Sequence, residues 1–393
     1  MQKPVALLLA LCTALLAAAL HAENLDVTVV TLDGDEQPQK LTGVSEAGFK
    51  FAEGELAAKD VAELRFSDAK ESSELPVFVL RNGDRLKAEI VSGDDTRFKL
   101  KSPALGDLAL ENKFVSTVLF PLKSGPGADA LENFVKSAPP KEDMLLLPKG
   151  DTLSGFMEKF TDKEIVFNAG GQSRPYAFAQ LAAFRMAPLD AYKAAEGFRA
   201  SLSFKDGSAV TGKLLGLKDG KLQFEALNGA TWAVPASALQ NIRLTGGKLV
   251  YLSDLAPKAV EEKPYVGGMP VIYHWRKDRT VTGEDLTLGA HTYSRGVGVH
   301  SYSKLTYDLN GQYAKFLADA GLDAAAPASA ACAWKILLDG KEVCGGTLKN
   351  HEKTPVKVDA SGAKTLELIC DYGPDDDDAG DQFDWANARL IKP

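Results

Sequence analysis

The side chains of this chain best suited to chemistry are aromatic, imidazole and carboxylate groups gathered in its last third. Three of the four tryptophans, Trp275, Trp334 and Trp385, lie there together with His274, His291, His300 and His351. An aromatic face beside hydrogen-bonding groups is what a sugar site requires. The ring stacks on the apolar C–H face of a pyranose, and polar side chains at its rim match the hydroxyls. Tyr273, Trp275, Tyr302, Tyr372 and Trp385 supply candidate faces, with His274, His300, Asp381 and Gln382 as polar neighbours. From these the expected ligand-binding set is Tyr273, Trp275, His300, Tyr302 and Trp385. Burial in a core is the competing assignment for each ring, and it is the preferred one for Trp334, which sits on an apolar stretch, and by a narrower margin for Trp385.

The second concentration is acidic. Asp375 to Asp378 run consecutively, and Asp381 and Asp384 follow. Hard oxygen donors in a glycine-containing loop suit calcium, which takes roughly six to eight of them. A structural calcium held by Asp381 and Asp384, with backbone carbonyls completing its shell, is one expectation, and a solvated acidic loop is the other. The same two carboxylates are the clustered candidates for glycoside hydrolysis. That chemistry needs them about 5 to 10 Å apart across a sugar, whereas residues three apart in one loop crowd one side. The chain contains no Gly-x-Ser-x-Gly, His-Glu-x-x-His or phosphate-loop motif, so a non-enzymatic protein is expected.

Short strands must position these groups. Period-two alternation recurs along the chain, as in Arg97–Lys101 and Lys221–Glu225, and such alternation buries one face of a strand. One phrase repeats four times: an apolar strand, a glycine turn, an alternating strand and later a closing strand. The turns are Thr31–Asp35, Leu80–Asp84, Leu147–Asp151 and Phe204–Ser208. Asn-Gly and Asp-Gly supply the positive φ angles of tight hairpins. The closing segments are Ala58–Phe66, Asn112–Phe120, Phe178–Met186 and Pro235–Leu244. Units of this size resemble SH3-like or Sm-like small β-barrels, which hide strand edges by closing on themselves. Four are expected, over residues 23–70, 75–122, 143–188 and 199–246, with helical pieces at Ala128–Ser137 and Leu189–Phe198. The aromatic residues of these units alternate as core residues do, which favours a spacer or scaffold role.

Composition sets the surroundings. At 45% hydrophobic and 25% charged residues the chain is ordinary globular protein. A net charge of −8 with dispersed Lys and Arg offers no stripe for a phosphate backbone, which excludes nucleic acid as a partner. Lys3, the apolar run Val5–Leu20 and Ala22 read as a signal peptide over residues 1–22. The mature protein is therefore expected to be periplasmic or extracellular and not inserted in a membrane. Cys12 would leave with the signal, and Cys332, Cys344 and Cys370 remain. The turn at Asp339-Gly340 would set Lys335 opposite Cys344 and put Cys332 on the other face, which disfavours a bridge between those two cysteines.

Residues 255–264, rich in charge and proline, read as a linker or a loosely packed strand before a new domain at 248–393. There the run Gly296–Gly311, with Tyr313, Phe316 and Gly321-Leu322-Asp323, resembles the NPCBM family. The later landmarks Trp334–Leu338, Asp339-Gly340-Lys341, Val358–Leu368 and Phe383–Ala388 keep the family's order. Several ordered motifs at compatible spacing are more specific than one short pattern. The resemblance implies a galactose-binding-like jelly-roll sandwich that binds a glycan or polysaccharide. Two positions depart from the family pattern. Ala324–Ala331 replaces a glycine-containing turn, and Gln382-Phe383 replaces a histidine-bearing pair. These departures keep open an alternative, a structural or adhesive scaffold that binds other cell-surface proteins. The fold class expected is all-β: tandem small SH3-like barrels followed by the sandwich.

Overall fold

The computed structural model describes residues 24–67, 69–122, 125–188, 197–226 and 229–393. The signal-peptide segment, and most of the helix expected at Leu189–Phe198, lie outside the described residues. Within them the protein is almost wholly antiparallel β, with one α-helix at Ala128–Lys136.

The first unit shows the local plan. Strands Leu25–Thr31, Glu36–Val44, Gly48–Phe51 and Gly54–Ala57 form a meander. A 3-10 turn at Ala58–Asp60 then returns the chain, and Val61–Arg65 pairs back onto the first strand. The same order recurs at Val77–Leu119, Asp143–Arg185 and Arg199–Thr245, each with a 3-10 turn before its last strand. The glycines of the four opening turns, Gly34, Gly83, Gly150 and Gly207, have φ of 88°, 90°, 98° and 86°, a region that only glycine enters without cost. The long second limb of every unit carries a register shift, at Leu41/Gly43, Ile90/Ser92, Met157/Lys159 and Leu214/Gly216. One extra residue there bends the strand and lets the small sheet curl over its core. At Gly155 and Gly212, two corresponding positions on that limb, a β-carbon would lie 2.0 and 2.1 Å from a carbonyl oxygen of the neighbouring strand.

The units are nested in pairs. The last strand of the first unit pairs with the last strand of the fourth, Leu64 opposite Ile242. The last strands of the second and third units pair likewise, Val118 opposite Phe184. Each pair shares one core. Val29, Leu64, Phe49, Leu202, Phe224 and Ile242 fill one, and Phe78, Phe98, Val118, Phe160 and Phe184 fill the other.

The remaining strands form a two-sheet sandwich. One sheet runs Arg276–Lys277, Gly296–His300, Gln382–Ile391, Lys315–Leu322 and Lys353–Asp359, with Leu249–Tyr251 also pairing onto Gln382–Ile391. The other runs Ala259–Glu262, Ser303–Asp308, Thr365–Tyr372, Ala331–Leu338 and Lys341–Lys349. Of the two readings for residues 255–264, the strand is the one observed, with Glu262 opposite Ser303. Val299, Leu305, Phe316, Ile336, Leu368 and Phe383 fill the space between the sheets.

The hairpin from Asp339-Gly340 pairs Ile336, not Lys335, with Cys344, because a register shift after Ile336 adds a residue. A one-residue slip exchanges the faces of a strand, so Cys344 shares a face with Cys332. Cys332 stands four residues further along, opposite Leu348, and all three cysteines are free thiols.

The sandwich is seated on the first repeat unit. Ala62, Leu249, Tyr251, Leu317 and Ile391 form a common apolar cluster. Beside it, the buried Glu63 carboxylate accepts Arg65 at 3.1 Å and lies 3.5 Å from Arg243, close to the buried Arg389.

Candidate functional site

Three segments meet at one end of the sandwich: the chain from Lys263 to Trp275, the turn His300–Ser303 and the loop Gly373–Asp381. Of the eleven large hydrophobic side chains exposed among the described residues, five (Tyr265, Val266, Met269, Ile272 and Tyr273) fall in the first segment. Single exposed apolar residues are ordinary, but a cluster marks a contact surface.

The segment is held at both ends. Lys263 donates its backbone N–H to the Tyr302 carbonyl at 3.0 Å, and its ammonium lies 4.8 Å above the centre of the Tyr302 ring. At the far end Glu262 receives the Trp275 backbone N–H at 2.6 Å and faces His274 Nδ1 at 2.8 Å. Between these clamps Tyr273, 40% exposed, lies over His300 with ring centres 4.8 Å apart and planes 26° from parallel. His300 is buried, and its Nδ1 is 3.0 Å from the Ser301 carbonyl. The tyrosine therefore rests one face on a fixed imidazole. Tyr265 meets Tyr372 edge-on at 5.1 Å nearby.

Polar groups lie beneath. Asp381, fully buried, accepts the Ser301 hydroxyl at 2.5 Å, and burial raises its pKa. The cis peptide Ser301-Tyr302 occupies the same turn.

Of the expected ligand-binding residues, the structure brings Tyr273, His300 and Tyr302 together, with Trp275 half-buried behind them against the core. Lys263 covers one face of Tyr302. A stacking role for Trp385 is corrected. The side chain is 0% exposed, packed edge-on against Trp334 at 5.8 Å and Phe383 at 5.1 Å in the sandwich core.

Asp381 and Asp384 do not converge. Asp384 lies under the Leu286–Tyr293 hairpin and faces Asp323, which accepts the backbone N–H groups of Thr287 and Ala325 at 2.9 and 2.8 Å. Burial, and then the neighbouring Asp323, push the Asp384 pKa well above the usual carboxylate range. No group of three or more His, Cys, Asp or Glu among the described residues is placed to hold a metal ion.

Lys263, Tyr265 and Glu262 were absent from the expected site. Their only signal was an aromatic residue in a Gly/Pro-rich stretch, Lys263-Pro264-Tyr265-Val266-Gly267-Gly268. A cleft of about 650 Å³ lies elsewhere, lined by Glu36, Lys40, Arg65, Phe66 and His291. Its ionic groups are occupied with one another, Lys40 with Asp26 and Arg65 with Glu36.

Comparison with known proteins adds three solved structures. A CBM51 module from Clostridium perfringens GH95 in complex with methyl-galactose is 27% identical, over 36% of this chain and 99% of that one, with a TM-score of 0.33. A structure of CBM51-2 in complex with GlcNAc and INT domains from Clostridium perfringens ZmpB is 23% identical, with a TM-score of 0.33. The alignment covers 45% of this chain and only 39% of that one. Tandem CBM51 modules of a Streptococcus pneumoniae family 98 glycoside hydrolase are 13% identical, over 66% and 91% of the two chains, with a TM-score of 0.32. No curated protein matches the chain. No helix among the described residues is long and apolar enough to cross a membrane. The family described as the NPCBM/NEW2 domain matches residues 248–391, the span of the two-sheet sandwich and its opening strand, and this part of the chain is an NPCBM domain.

Proposed function

We propose that this is an exported, non-catalytic glycan-binding protein whose NPCBM domain holds a sugar against Tyr273. The observation that carries the reading is the exposed Tyr273 ring backed by the buried His300. A platform fixed from behind loses little freedom when a pyranose stacks on it, so less of the contact energy is spent on ordering. The apolar leader ahead of the first strand supports export. The strand order of the four units, a meander closed by a 3-10 turn and a returning strand, supports reading them as SH3-like barrels. Their role is to hold the module away from the surface that carries them.

The test is isothermal titration of the full chain with a panel of neutral mono- and oligosaccharides, with and without calcium. Tyr273→Ala should weaken any binding at least tenfold, about 1.4 kcal/mol, with the unfolding midpoint unchanged. Calcium independence would reject the ion expected at Asp381 and Asp384. A second reading, a protein-binding scaffold, draws on the exposed aliphatic side chains Val266, Met269 and Ile272 beside the platform. A folded chain that binds no glycan would favour it.

A further inference from the structure

Beside the Tyr273 platform lies a second aromatic step. Tyr265 is 42% exposed and stands edge-on to Tyr372, which is itself only half-buried. The two steps flank the turn that carries Ser301 and Tyr302. His300 begins that turn under Tyr273. On the other side the strands Ser303–Asp308 and Thr365–Tyr372 pair Ser303 with Cys370, so Tyr372 emerges one strand away from the turn. Neighbouring strands are spaced roughly 4.8 Å apart, which puts the two steps within the reach of one short linear ligand. Between them the Lys263 ammonium lies over the Tyr302 ring and pairs with the Glu261 carboxylate at 2.6 Å, which leaves its other N–H groups to donate between two apolar faces.

We infer that the site takes two consecutive residues of a linear neutral oligosaccharide, one on Tyr273 and the next on the Tyr265–Tyr372 step, with Lys263 donating to hydroxyls between them. This rests on the glycan reading above and adds a second subsite to it. The neutrality follows from the surroundings of the second step, where Asp371 and Asp378 lie near Tyr372 and the nearby Lys263 ammonium is already paired with Glu261. Carboxylate or sulfate sugars would meet like charge there. The geometry suits a chain better than a single terminal sugar, because a lone pyranose on Tyr273 leaves the exposed Tyr265 face in water.

The experiment uses the full chain on an array of glucose, galactose, mannose and N-acetylglucosamine, each as a single residue and as linked di- and trisaccharides. Hits are then titrated with the native protein, Tyr265→Ala and Tyr273→Ala. In the native protein the affinity for one series should rise at least tenfold from one residue to two. Tyr265→Ala should reduce the disaccharide to the level of the monosaccharide and leave monosaccharide affinity unchanged, whereas Tyr273→Ala should abolish both. Tyr265 lies in an exposed loop, so its truncation does not threaten the fold, and Tyr372→Phe, which keeps the ring, should retain the gain. Affinity independent of chain length, or a length-dependent gain that survives Tyr265→Ala, overturns the second subsite and leaves the first intact. Binding to no sugar of any length removes the glycan reading, and the subsite with it.

Discussion

Replacing Trp385 separates a core role from a binding role. The indole is fully buried and touches two other aromatic rings, Trp334 and Phe383. Truncating a buried tryptophan or phenylalanine to alanine costs about 3 to 5 kcal/mol, from lost transfer energy and the cavity left behind. The two edge-on contacts belong to a class worth about 0.5 to 1.5 kcal/mol each beyond area burial, which favours the upper half of that range. With a urea m-value near 2 kcal/mol/M, a loss of about 4 kcal/mol lowers the midpoint of the sandwich by about 2 M. Urea unfolding of the full chain followed by fluorescence reads this change, because Trp275 and Trp334 remain in the sandwich as reporters. At low urea, glycan affinity of the folded Trp385→Ala fraction should match the native protein. An unchanged midpoint together with lost glycan binding would refute the assignment and return Trp385 to the ligand surface.

Two further outcomes follow from buried charge. The Asp384 pKa is raised on folding, so the native state holds a proton that the unfolded chain has lost, and stability falls as pH rises from about 4 through the folded value. Asp384→Asn should therefore raise the urea midpoint at pH 7, with the gain shrinking toward zero as pH falls to about 4; a pH-independent difference would reject the carboxyl pair. Glu63 sits between Arg65 and Arg243 at the seat of the sandwich. Glu63→Ala leaves the buried Arg243 guanidinium without its carboxylate, while Arg65 keeps Glu36, and should cost about 3 kcal/mol. Thermal unfolding by calorimetry measures it, and a shift no larger than that of an exposed substitution such as Lys149→Ala would show that the pairing adds nothing.

Turn chemistry and alternation made much of the local structure legible. Gly34, Gly83, Gly150 and Gly207 occupy the positive-φ positions their dipeptides required. The alternating runs Arg97–Lys101 and Lys221–Glu225 turn Phe98 and Phe224 into the core, as their period-two spacing required. Partner choice was not legible. The closing strands of all four units look alike, and nothing local distinguishes pairing with the next unit from pairing with the fourth.

Trp385 escaped for a related reason. Nearly every residue of Gln382–Ile391 is buried, because one face meets the sandwich core and the other lies under the Leu286–Tyr293 hairpin and against the barrel. Alternation carries no information about exposure in a strand covered on both sides. The edge strand Ala259–Glu262 hid in the opposite way. It is mostly exposed, so its charged residues fitted a linker as well as a loosely packed strand, and Tyr265 just beyond it went unnoticed as an aromatic of the site.

The nesting of the repeat units also sets the order in which the chain can finish itself. Val61–Arg65 is made early, yet the strand it pairs with, around Asn241–Arg243, is made only after two further units. Throughout that interval the nascent first unit presents a sheet edge with unpaired N–H and C=O groups, the kind of template from which chains join edge to edge. A message cut short anywhere in the array would leave that edge permanently open. The integrity of the first unit thus depends on the arrival of the fourth, the last of the array to be made.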